Sequence, residues 1–288
     1  MKKVLITGAN SYLGDNTKKY LESYPGFAVD ILDMLDENWA KTDFSKYDVV
    51  FNVCAIVHRF DKVDESLYYK VNRDLALEIA EKAKKEGVKQ FIQTSTNGVF
   101  GIDVGVMSSN KGFKPRTPYE KSKYEADCLL EQLRDENFKV CIVRPPLMYG
   151  VGCRGNFPKL ESFAIKHKVF PSLKNKKDFI YIENMCDFIM FAIFNELDEV
   201  CYPRDGHLAA VSEMIRLIAC LNGNHIRLIW VLNPFVKIFY RFSHSLKLVF
   251  GNCYCIERVC SMNWIPPFSL DKALNCMYGE NHENNVHK

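Results

Sequence analysis

The stretch VLITGANSYLG, Val4 to Gly14, is a short apolar run that breaks at Thr7-Gly8 and continues, past Ser11 and Gly14, into a polar helix-like segment. A buried strand that turns tightly into a helix needs this pattern. Gly8 permits a sharp turn at positive φ, and Gly14 lets the helix lie close to the strand. Gly8, Asn10, Ser11, Tyr12, Leu13 and Gly14 then surround a helix start whose unpaired N–H groups and positive dipole end suit a pyrophosphate. The position of this turn, directly after an N-terminal strand, is the context that gives a glycine-rich loop its meaning.

Working outward, Phe27 to Leu32 reads as a second strand that ends at Asp33. A carboxylate at that tip is placed for the ribose hydroxyls of an adenosine and repels a 2′-phosphate, which favours NAD over NADP. The plainer alternative is a surface turn residue among the acidic neighbours Asp30, Asp36 and Glu37. Asp48 to Cys54 is a nearly continuous β-branched and aromatic run, as in a parallel strand covered on both faces. Ser66 to Glu86 has helical periodicity and stops at Gly87; Lys89 to Thr94 is the next strand, Tyr119 to Asn137 a helix, and Lys139 to Val143 the strand after it. This alternation predicts an α/β fold, a Rossmann-type doubly wound parallel sheet over residues 1–150.

From Arg144 prolines and glycines break the chain into loops, which predicts a smaller C-terminal substrate-binding subdomain over 151–278. Segments near 176–200 are expected to return to the first domain, and 279–288 forms a polar tail. Basic residues gather here, among them Arg154, Lys159, Lys166, Lys168, Lys174, Lys176 and Lys177. They fit either a solvated charged face or a substrate that carries its own diphosphate. Ser212 is expected to cap a helix running to about Leu221. The apolar, aromatic and basic stretch Ile226 to Phe250 fits an interfacial helix pair, a subunit interface or a cap over the substrate site.

Composition narrows the function classes. The 288 residues carry a net charge of +3, too mild to imply nucleic acid. Eleven scattered cysteines show no C-x-x-C spacing, so no metal site is expected and reduced thiols packing as small apolar groups are. The apolar run after Met1-Lys2-Lys3 is too short for a signal-peptide core, and no segment is long enough to span a bilayer, so the expected location is the cytoplasm.

Tyr119 and Lys123 lie four apart at a helix start, on one face. A phenol is a poor base at neutral pH unless a neighbouring positive charge favours its anion, so the expectation is that Lys123, together with a nicotinamide ring, lowers the Tyr119 pKa. Lys123 can also hold the nicotinamide ribose. The Thr94-Ser95-Thr96 cluster precedes this helix by one strand and one loop, and a hydroxyl from it can hydrogen-bond a substrate oxygen as it becomes a carbonyl.

TGANSYLG, Asp33, Asp43-Phe44, STNGVFG (Ser95–Gly101), YEKSK, VRPPLMYG (Val143–Gly150), Gly155 to Pro158, KDFIYIENM (Lys177–Met185) and NWIPPFSLDKAL (Asn263–Leu274) together resemble the extended short-chain dehydrogenase/reductases, and within them the NAD-dependent epimerase/dehydratase family acting on nucleotide sugars. The resemblance implies Thr96, Tyr119 and Lys123 as catalytic residues. It places Asp43 and Phe44 beside the adenine, Asn52, Cys54 and Ala55 along the NAD pocket, and Asn72 as a support of the site. Asn156 falls on a residue contacting the substrate nucleotide. Two departures concern binding: Ser11 replaces the middle glycine of the turn, and Lys177 stands where the family usually has Arg, losing bidentate geometry on a phosphate. A third concerns chemistry: Asn97-Gly98 stand where 4,6-dehydratases carry an Asp-Glu pair, so dehydration lacks its acid and base.

The expected activity is therefore NAD-dependent epimerisation of a UDP-sugar at C4 through a 4-keto intermediate, serving cell-surface polysaccharide precursors. The rivals are an NAD(P)H-dependent 4-ketoreductase or dehydrogenase and a non-catalytic NAD sensor. A homodimer is what the resemblance implies, and peripheral membrane contact through 226–250 could accompany any of these.

Overall fold

The computed structural model describes residues 1–57, 64–240 and 242–279. In chain order its elements are β1 (Lys2–Thr7), α1 (Tyr12–Glu22), β2 (Phe27–Leu32), β3 (Val49–Asn52), α2 (Glu65–Tyr69), α3 (Leu75–Lys85), β4 (Gln90–Thr94), β5 (Gly105–Met107), α4 (Pro118–Glu131), β6 (Lys139–Val143), β7 (Leu147–Tyr149), α5 (Phe157–Lys166), β8 (Val169–Pro171), β9 (Phe179–Tyr181), α6 (Ile182–Phe194), β10 (Val200–Cys201), α7 (Val211–Leu221), β11 (Arg227–Ile229), α8 (Asn233–Tyr240), α9 (His244–Phe250), β12 (Cys253–Cys255) and α10 (Leu270–Tyr278).

A six-stranded parallel sheet in the order β10-β6-β4-β3-β1-β2 carries the architecture. Strand residues alternate between two cores. Val4, Ile6, Val49, Phe51, Ile92, Cys141 and Val143 pack with Leu13 and Leu21 of α1 and with α6. Leu5, Val50, Phe91, Val140 and Ile142 pack with Ile79, Ala80 and Ala83 of α3 and Leu130 of α4. Helices thus cover both faces, which is why these strands read as unbroken apolar runs. β2 lies on one side of β1 and β3 on the other, so the crevice at their carboxyl ends is the point where the strand order reverses. Residues 182–201 return to this layer: α6 packs on α1, and β10 closes the edge beside β6.

The second half hangs on the first core through α5, α7 and α10, with short parallel pairs β8–β11, β5–β12 and β7–β9 between them. Three local expectations change. Helix α4 begins at Pro118, where Thr117 and Glu120 form a capping box, and stops at Glu131 rather than Asn137. There Asp135 accepts the amides of Asn137 (2.8 Å) and Phe138 (2.9 Å) in a tight turn that the helix cannot contain. The single helix expected over 66–86 is split by one π turn, Lys70–Asp74. Ser212 does not cap α7; Ala210 occupies that position, and the Ser212 hydroxyl instead donates to the Pro171 and Leu173 carbonyls and accepts from the Leu173 amide. Of the tail expected over 279–288, residues 280–288 lie outside the described residues, as does Arg241.

Candidate active site

The turn after β1 has the geometry its glycines imply. Gly8 sits at φ +113°, and a Cβ there would lie 3.0 Å from the Cys54 amide nitrogen and 3.1 Å from its Cα. The loops after β1 and β3 therefore touch backbone to backbone, which only glycine permits. Asn10 is left-handed at φ 59°, a conformation Asn tolerates. Ser11 ends the turn as the N-cap of α1, its hydroxyl accepting the Gly14 amide at 3.2 Å. The hydroxyl that replaces the expected middle glycine thus takes one free amide of the helix start and leaves the others to a ligand. Leu13 is buried in the core, and the Tyr12 hydroxyl is buried against Gly150, where a Cβ would meet it at 2.6 Å.

Across the crevice, the Gly8 amide donates to Leu32 at 2.9 Å, and Asp33 follows, exposed, its carboxylate accepting the Leu35 amide at 2.9 Å. Asp43 is exposed as well; the Ser45 amide and hydroxyl hold its carboxyl below the usual range. Phe44 differs from expectation: its ring is fully buried with Ile79 and Phe91, its amide donates to Glu86 at 2.6 Å and its carbonyl accepts the Tyr47 amide at 3.0 Å, so neither its ring nor its N–H is open to an adenine. Asn52 is likewise inside the sheet. It accepts from Thr7 at 2.8 Å and from the Cys54 amide at 3.1 Å and donates to Gln93 at 2.8 Å, tying β1, β3 and β4 together at their carboxyl ends. Cys54 and Ala55 continue from it along the crevice, partly open.

Asn72 occupies the π turn and is fully buried. Its amide oxygen accepts the Ile56 amide at 2.8 Å, and its nitrogen donates to the Ile56 carbonyl (3.0 Å) and the Ser122 hydroxyl (3.1 Å). It therefore clamps the loop after β3 onto α4 between Tyr119 and Lys123. Single-turn π bulges recur at functional positions because they re-aim one side chain without ending the helix.

On α4 the structure brings Thr96, Tyr119 and Lys123 together. Thr96 caps the 3-10 turn Asn97–Phe100, its hydroxyl accepting the Gly98 amide at 3.0 Å. A hydrogen bond joins that hydroxyl to Tyr119 and works to lower the phenol pKa. Burial outweighs it: the Tyr119 pKa is pushed up to about 12, with Asp127 and Glu120 adding to the rise. The lowering expected from the neighbouring ammonium is therefore not a property of the protein's own groups. Burial in turn brings the Lys123 pKa down to about 8. The forces opposing this are charges, from Asp127 and Cys54, rather than a hydrogen bond. A buried ammonium so held, beside a crevice with free helix amides, fits a ribose hydroxyl, and these residues together fit NAD.

Asp127 extends the same stripe by one more turn, at the spacing of four that links Tyr119 to Lys123. In the sequence nothing but this spacing marks it. Its Oδ2 accepts from Ser95 (2.7 Å) and Arg144 Nε (2.9 Å), all three buried. Burial raises the Asp127 carboxyl against Arg144, Ser95 and Lys123; for Arg144 burial is the largest single effect and works against its charge, but Asp127 and Tyr202 together outweigh it and its pKa rises. Arg144 keeps its charge, because a guanidinium does not release its proton.

Neither Asn97 nor Gly98 supplies a carboxyl. The nearby Glu120 carboxylate is used at the helix start, accepting the backbone amides of Arg116 (2.7 Å) and Thr117 (3.1 Å). Asn156 is exposed at the N-cap of α5, its side chain not capping, with the Lys159 ammonium 3.5 Å from its oxygen. Lys177 donates to the Leu248 carbonyl at 2.7 Å, on the last turn of α9, and burial lowers its pKa. One of its three donors is thus used, and two remain for an anion. Among the described residues no cluster of His, Cys, Asp or Glu could hold a metal.

Comparison with known proteins agrees with this geometry. The model of the NAD dependent epimerase/dehydratase family matches residues 4–200. UDP-glucose 4-epimerase of Vibrio cholerae is 29% identical over 247 residues, 76% of this chain and 75% of that protein. N-acetyl-alpha-D-glucosaminyl-diphospho-ditrans,octacis-undecaprenol 4-epimerase of Escherichia coli O157:H7 is 26% identical over 67% of this chain and 63% of its own length. In fold the chain is similar to UDP-glucuronic acid 4-epimerase from Bacillus cereus in complex with NAD (TM-score 0.73, 18% identity, 99% of this chain and 100% of that one). It is also similar to dTDP-4-dehydrorhamnose reductase from Bacillus anthracis in complex with NADP (TM-score 0.72, 18% identity, 97% and 100%).

Proposed function

The chain belongs to the NAD-dependent epimerase/dehydratase family, and on that premise we propose that it inverts C4 of a UDP-sugar through a 4-keto intermediate, for cell-surface polysaccharide precursors. The observation that carries this reading is the donor chain Gly98 N–H to Thr96 hydroxyl to Tyr119 oxygen. Hydrogen bonds in series polarise one another, and this series ends on the atom that must bear the negative charge.

In the proposed reaction Tyr119 Oη takes the proton of the C4 hydroxyl. When bound, NAD supplies the acceptor that takes hydride from C4 and later returns it to the opposite face of the sugar. Once Tyr119 has taken that proton, the single hydroxyl donor of Thr96 turns from the phenol oxygen to hydrogen-bond the oxygen at C4 as it becomes a carbonyl, without giving up its own proton. Lys123, one turn beyond Tyr119, orients the nicotinamide ribose and adds positive charge beside the phenolate. Tyr119 then returns its proton to the C4 oxygen. Asn156 and Lys177 are assigned to the substrate's nucleotide and diphosphate. Asn97 and Gly98 support this reading over dehydration, since neither can act as acid or base. Both named relatives are 4-epimerases of a sugar on a diphosphate carrier, which supports C4.

The test is denaturing release of cofactor from purified protein, followed by incubation with UDP-sugars without added nicotinamide. Bound NAD with redox-neutral conversion of one sugar to its C4 epimer is the expected result. Turnover only with NADH or NADPH supplied would assign the reductase, and bound NAD without turnover the sensor.

A further inference from the structure

Helix α8 carries its apolar stripe on the outside. Phe235, Ile238 and Phe239 on it, and Phe242 beyond its end, recur in the sequence at the spacing by which a helix ordinarily buries one face. All four are exposed, Phe239 at 59% and Phe242 at 83%. Trp230, at 74%, and Val231 stand on the turn that leads into α8, and Leu248 is exposed on α9, which packs against it. The patch is anchored rather than loose: Asn233 donates to the Ser172 carbonyl at 2.8 Å, and the Phe250 ring stacks on Phe170 with centroids 5.4 Å apart.

Along the chain that carries it, the charge has one sign. From Met214 to Ile256 the chain contains no Asp or Glu but has Arg216, Arg227, Lys237, Arg241 and Lys247. Pairing of β11 with β8 lays Arg227 beside Val169, and Lys166, Lys168, Lys174 and Lys176 flank β8, all of them exposed like Arg227. A second copy of this chain suits the face poorly, since a two-fold contact would bring basic residues against basic residues. An anionic layer with an apolar interior matches both properties.

We propose that the α8–α9 face docks this protein on a lipid bilayer with anionic headgroups. The rings of Trp230, Phe235, Phe239 and Phe242 enter the boundary between headgroups and acyl chains, and the basic rim meets lipid phosphates. The helices lie on the membrane; among the described residues no helix is long and apolar enough to cross one.

Flotation of the full chain with phosphatidylcholine vesicles, with and without phosphatidylglycerol, tests this. The expected result is binding to anionic vesicles alone, reversed by high salt, with a blue shift of tryptophan emission. Phe239→Ser/Phe242→Ser should abolish binding, and Arg227→Glu should weaken it by roughly fivefold or more at low salt. If the Phe variant does not fold, Arg227→Glu and the salt titration of the unaltered protein decide. Absence of binding to anionic vesicles overturns the proposal. So does a Phe239→Ser/Phe242→Ser variant that dissociates a dimer while vesicle binding persists. The readout needs no sugar turnover, so it stands or falls separately from the proposed reaction.

Discussion

Arg144 closes on Asp127 with its Nε 2.9 Å from Oδ2, an ion pair shut away from solvent on the helix that carries Tyr119 and Lys123. Removing one partner strands a buried charge. Arg144→Met is expected to cost about 3–5 kcal/mol, read as a lower urea midpoint. Asp127→Leu/Arg144→Met together should recover much of that loss. A single variant as stable as the parent would show the pair to be idle.

Tyr119→Phe deletes the proposed base but keeps the ring that packs edge-on against Tyr68 with centroids 6.5 Å apart. Turnover should fall by roughly 10²–10⁴, while NAD released on denaturation stays at the parent level. Undiminished turnover would remove Tyr119 from the chemistry.

Lys123 has a pKa lowered by burial to about 8, against about 10.4 in an unfolded chain. Between those values the unfolded chain binds more protons, so stability from this group rises with pH through that window. Its positive charge disappears over the same range, so turnover should fall as pH rises through about 8. Lys123→Met should flatten the stability profile between pH 8 and about 10 and abolish that limb of the activity profile. Paired titrations of melting temperature and rate check both signs.

Gly8→Ala places a methyl 3.0 Å from the Cys54 amide at φ +113°. The strained backbone costs on the order of 1–3 kcal/mol, and the loop after β3 must move. NAD content should drop sharply, even where circular dichroism shows the sheet intact. Full NAD content in this variant would show that the close approach is dispensable.

Much of the fold was legible because both faces of this sheet are covered. Phe27–Leu32 and Lys139–Val143 have the observed boundaries, and Gly8 and Gly14 mark the turn. Tyr119 and Lys123 are joined by helix geometry alone, so spacing revealed them. What depended on strand order did not show: Asn52 meets Thr7 and Gln93 only after β1, β3 and β4 are side by side. Arg144 likewise meets Asp127 only when β6 lies beside α4. The lowering expected for the Tyr119 pKa meets a counterweight from burial, because a nearby charge is visible in a sequence and desolvation is not. Ser212 has the chemistry of a cap, but two carbonyls and an amide near the end of β8 compete for it.

The π turn at 70–74 sets the phase of a helix. Before it, Tyr68 faces Tyr119; within it, Asn72 reaches Ile56 and Ser122; after it, Ala76, Ile79, Ala80 and Ala83 are buried, the last three against the sheet. Each residue advances a helix by about 100°, so deleting one here would restore an even spiral and swing one end out of register with the other. Asn72 is fixed here by its side-chain contacts, and the length of the stretch is fixed as firmly. The segment behaves as a vernier between the scaffold and the site, where counting matters as much as composition.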